Sequence, residues 1–69
     1  MEPAEIQKLE KYLRKTFQLP SIGVRARPRK DDSAEVYIGD EFIGIIFRDE
    51  EDGELSFNFT MAILDVDLE

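Results

Sequence analysis

The chain has 69 residues, 42% of them hydrophobic and 36% charged, with no cysteine, no histidine and a net charge of -7. That balance is too apolar for a disordered tail and too interrupted by charge for a membrane span, and the absent residue types exclude a disulfide framework, thiolate chemistry and the commonest metal ligand and neutral-pH base. One soluble domain over residues 1–69 is expected, with a small core and little stability to spare, for which dimerisation is an ordinary remedy.

The N-terminal Met1-Glu2-Pro3-Ala4-Glu5 has no basic segment followed by an apolar one, so no secretion signal is expected and the cytoplasm is the default compartment. The net charge divides unevenly. Residues 1–30 hold eight Lys/Arg and three Glu, net +5, and residues 31–69 hold one Arg and thirteen Asp/Glu, net -12. Such asymmetry can mark an outside partner, but packing of the basic part beside the acidic part of one domain accounts for it more simply.

Pro3 suits a first helical position, Glu2 and Glu5 lie toward the positive end of the helix dipole, and Lys11, Arg14 and Lys15 toward the negative end. The pattern predicts a helix from Pro3 to Phe17 whose stripe of Ile6, Leu9, Leu13 and Phe17 covers a sheet. Pro20 ends it. Ile22, Val24 and Ala26 then alternate with Gly23, Arg25 and Arg27, a first strand that Pro28 restricts to an edge or an end. Arg29 to Ser33 reads as a polar turn, and antiparallel return would set Arg25 and Arg27 on the same outer face as Glu35 and Tyr37.

Two alternating runs, Ala34–Ile38 and Glu41–Arg48, meet at Gly39-Asp40 and predict a β-hairpin with a two-residue loop. Unbroken alternation puts Ala34, Val36 and Ile38 on one face with Ile43, Ile45 and Phe47, and Glu35 and Tyr37 on the other with Phe42, Gly44 and Ile46. Leu55, Phe57, Phe59, Met61 and Ile63 form a fourth strand, and a three-residue loop Glu51-Asp52-Gly53 would set Phe47 opposite Phe57, Ile45 opposite Phe59 and Ile43 opposite Met61. Beyond Ile63 the apolar phase slips to Leu64, Val66 and Leu68, a tail expected to bulge toward the helix or pair with the first strand or another copy.

No catalytic, cofactor-binding or metal-binding residue is expected. The carboxylates at Asp31-Asp32, Asp49 to Glu54 and Asp65-Asp67 fall in turns, without the converging partners that acid/base work needs. The acidic loop fails the calcium-loop pattern because Gly53 comes only four residues after Asp49 and strands replace the flanking helices. Ser33 and Ser56 have no histidine to activate them, and no glycine opens a strand-to-helix phosphate cradle.

Two surface readings remain. Arg25, Arg27, Arg29 and Lys30 beside the sheet aromatics have the character of a weak single-stranded RNA site, which the overall negative charge and the missing RNP signatures disfavour. Tyr37, Phe42 and Ile46, rimmed by Arg25, Arg27, Glu35 and Arg48, read as an apolar outer patch for a protein partner or a second copy.

Asp32 to Gly44, then Asp52-Gly53-Glu54-Leu55-Ser56 and Met61-Ala62-Ile63-Leu64, with Tyr12 to Phe17 ahead of them, resemble a family of short uncharacterised alphaproteobacterial proteins known only as a domain of unknown function. The resemblance spans nearly the whole chain. It implies a free-standing bacterial protein and supplies no activity, ligand or site residue. The expectation is therefore an α+β fold, one N-terminal helix on a four-stranded antiparallel meander. Its function is expected to be non-catalytic protein interaction through the outer face or an exposed edge, without cofactor or membrane.

Overall fold

A computed structural model covers residues 1–69. Helix α1 (Pro3–Thr16) is followed by β1 (Ile22–Arg27), β2 (Lys30–Ile38), β3 (Glu41–Asp49) and β4 (Ser56–Thr60), with short 3-10 turns at Glu51–Gly53 and Asp65–Leu68. The strands pair antiparallel in the order β1-β2-β3-β4, the expected α+β meander.

Pro3 starts α1, where its missing N–H costs nothing, and the Glu2 carbonyl accepts the Ile6 N–H at 3.0 Å. At the other end Leu19 N–H donates to the Arg14 carbonyl and Gln18 N–H to Lys15, the Schellman closure. Gln18 holds the left-handed conformation (φ 53°) that glycine usually supplies there. The closure turns the chain so that Leu19 packs against the core and β1 starts under the helix.

Gly39, with φ 59°, forms the expected two-residue β2–β3 turn, and Ile38 stands opposite Glu41 and Tyr37 opposite Phe42. The predicted alternation then fails. A β-bulge leaves Ile43 without a partner, so that Val36 faces Gly44, Glu35 faces Ile45 and Ala34 faces Ile46. Ile43 and Gly44 thus both turn toward the helix side, and every later residue of β3 lies on the face opposite to that expected.

The core changes accordingly. Ile46, expected outside, is 2% exposed and buried with Leu13, Ile22, Val24, Ala34 and Val36, while Ile45 and Phe47, expected inside, lie on the outer face. Gly44 permits this arrangement. A Cβ there would sit 2.7 Å from the Phe59 ring and press on the Thr60 carbonyl, so only a bare backbone fits beneath β4.

The bulge also corrects the β3–β4 register. Ile46 faces Phe59 and Arg48 faces Phe57, so Phe57 and Phe59 do point inward, one residue out of step with the predicted pairing. The connection closes through the 3-10 turn, with Asp52 at φ 60° and Gly53 at φ 74°, and replaces the three-residue loop. Phe17, Met61 and Ile63, assigned to the core from their spacing, are exposed. The tail leaves the sheet after Thr60 instead of bulging toward the helix or pairing with β1, and Leu64 and Asp67 hydrogen-bond each other through their backbone and the Asp67 carboxylate.

Candidate functional site

The helix packs over β1, so the two sides of the sheet and its two edges offer unequal surfaces. Arg25 shares the outer face with Glu35 and Tyr37 as expected, and stands opposite Glu35, but does not ion-pair with it. Its guanidinium instead lies 4.0 Å from the centre of the Tyr37 ring, and the Tyr37 hydroxyl donates to Glu35 Oε1 at 2.9 Å. Phe42 meets Tyr37 edge-on at 5.7 Å between ring centres. The hydrogen bond to Glu35, reinforced by desolvation and that carboxylate's charge, raises the Tyr37 hydroxyl above its ordinary pKa, with Arg25 opposing.

Of the seven residues expected to form the outer patch and its rim, Arg25, Glu35, Tyr37 and Phe42 are gathered there. Arg27 is spent locally, donating to Ser33 Oγ at 3.1 Å. Ile46 is removed by burial in the core, and Arg48 turns to the helix face, where it bridges Glu5 at 3.3 Å and Glu50 at 2.5 Å. Ile45 and Phe47 take the vacated outer positions by virtue of the bulge. Arg29 remains exposed in the β1–β2 turn and Lys30 at the start of β2, since residues 30–33, expected as turn, extend the strand.

The edges carry the sharper contrast. At β1 the Val24 N–H donates to Glu10 Oε2 at 2.9 Å and the Ile22 carbonyl accepts Arg14 Nε at 2.6 Å, while Glu10 and Arg14 pair with each other at 3.2 Å. An i,i+4 ion pair on the helix therefore occupies backbone groups that an edge strand otherwise leaves open. At β4 no side chain hydrogen-bonds to the backbone of Ser56–Thr60, and that strand carries neither charge nor proline.

Beside β4 the helix leaves part of the inner face uncovered. The result is a groove of about 370 Å³ lined entirely by apolar side chains, among them Leu13, Phe17, Leu19, Ile43, Phe59 and Met61. Phe17 and Met61 are each 54% exposed. Sequence reasoning assigned Leu13, Phe17, Ile43, Phe59 and Met61 to the core; the signal that it is open is the shortness of α1 against a four-stranded sheet. Of the edge caps, Arg14 reads in sequence as a cation at the negative end of the helix dipole, and no local pattern marks Glu10.

No carboxylate is buried, and no three Asp or Glu side chains converge as a metal site. No helix is long and apolar enough to cross a membrane. A protein-family model described as "Protein of unknown function (DUF3126)" matches residues 5–67. Comparison with curated proteins and with solved structures finds no match.

Proposed function

The chain belongs to that family of unknown function, and we propose from its geometry that it is a small non-catalytic interaction module, working in the cytoplasm, that takes a protein strand along β4 and its groove. The observation that carries this reading is the difference between the edges. Side chains of α1 close β1, whereas β4 presents an uncharged, unprotected strand beside an apolar groove, the arrangement used in β-strand addition. Backbone hydrogen bonds would supply affinity and the groove would select side chains. The cysteine-free composition fits a reducing compartment.

The outer face supports an interface less well, because Arg25, Glu35 and Tyr37 already satisfy one another. RNA binding is weakened by the same contacts, which leave Arg29 and Lys30 as the free cations of that cluster.

A photo-crosslinking residue placed at Asn58 on β4, or at Phe42 on the outer face, tests the assignment inside producing cells. Protein adducts from position 58 and not from 42 are expected. Adducts from 42 alone, or from neither, overturn it.

A further inference from the structure

Building on the open-edge reading, we propose that the occupant of β4 and its groove is a second copy of this chain, joined edge to edge around a two-fold axis through Asn58. The chain exposes 5556 Å², whereas a folded monomer of 8.0 kDa is expected to expose about 4,450 Å². The excess, about 1,100 Å², is of the size that one partner contributes to a stable interface, about 800 Å². Its shape agrees. The radius of gyration is 12.7 Å and the extents are 42 × 24 × 24 Å, against a radius of about 11 Å for a compact domain of this length.

The β4 sequence is complementary to itself. Antiparallel pairing centred on Asn58 sets Phe57 opposite Phe59 of the second copy, and Ser56 opposite Thr60 of that copy. Phenyl rings then meet on the helix side, and no like charges are brought together. An axis normal to the sheet keeps both helices on one face and brings the two grooves, with Phe17, Phe59 and Met61, toward each other. An uncharged strand offers no electrostatic preference for an acidic or basic peptide, so matching by shape and apolar area favours the identical chain.

Sedimentation equilibrium of the purified full chain is the test. The wild type is expected at about 16 kDa, twice the mass of one chain, at micromolar concentration. Asn58→Lys opposes two cations at the axis and Met61→Glu puts charge into the groove; each is expected to weaken association by roughly tenfold or more, with the circular dichroism of the folded chain retained. Asn58→Thr should remain dimeric. A wild type monomeric at every concentration, or a dimer indifferent to both charged variants, overturns the proposal. A monomer that still gives adducts from position 58 with another protein refutes self-pairing and keeps the open-edge reading; a monomer giving none refutes both.

Discussion

At β1 the helix lends Glu10 and Arg14 to the backbone of the edge strand, whereas at β4 Ser56–Thr60 runs from the acidic connection to the tail with no side chain reaching its main chain. Both strands end the same sheet, and both bury apolar residues on the helix side. The difference lies in the reach of α1. Fourteen residues cover β1 and cannot also cover β4, so one edge is closed by the same element that leaves the other open. An unpaired edge and an uncovered groove therefore arise together.

The largest way to break this contrast is Gly44→Ala. Its methyl group has no room between Phe59 and the Thr60 carbonyl, so β4 must lift from β3, at a cost of about 3 kcal/mol on the scale of over-packed cores. Urea unfolding should show the loss, and amide exchange in β4 should quicken. Opening the closed edge comes next: Glu10→Ala leaves the Val24 N–H unpaired and is expected to destabilise by about 1–2 kcal/mol. With both edges then exposed, light scattering should report species larger than the wild type.

A smaller change sharpens the comparison without touching either edge. Gln18→Gly relieves the left-handed residue at the end of α1 and should stabilise the chain by roughly 1 kcal/mol in thermal melts, with the same oligomeric state. The smallest effect concerns the outer face between the edges. In a Tyr12→Phe background the Tyr37 phenol should ionise above its usual 10, and Glu35→Gln should lower that transition in an ultraviolet titration. Because the folded pKa is raised, the stabilisation linked to the neutral phenol is present below pH 10 and is lost as pH rises through the folded value.

Much of the architecture was legible from local chemistry. Pro3, the stripe Ile6-Leu9-Leu13, and Gly39-Asp40 state a helix and a hairpin through φ preferences and 3.6- and 2-residue periods that need no tertiary context. Ile43 to Phe47 misled because alternation carries no mark of where it is interrupted. Gly44, inside a strand and followed by two isoleucines, was the available signal of a bulge, and it moved Ile46 into the core and Ile45 out. Of the expected surface, Tyr37 and Phe42 came together because they precede the bulge in the hairpin register, and Arg25 joined them because the β1–β2 register is regular up to Ala26, while Arg48, beyond the bulge, was carried to the opposite face.

The amino-acid sequence by itself determined the elements, their order and the hairpin turn, since each depends on neighbours a few residues apart. The tertiary structure alone decided which face β3 presents after Gly44, that Glu10 and Arg14 cap β1, and that β4 has no cap. Those outcomes depend on a steric limit at Phe59 and Thr60 and on how far one helix extends over four strands, distances that no local pattern encodes.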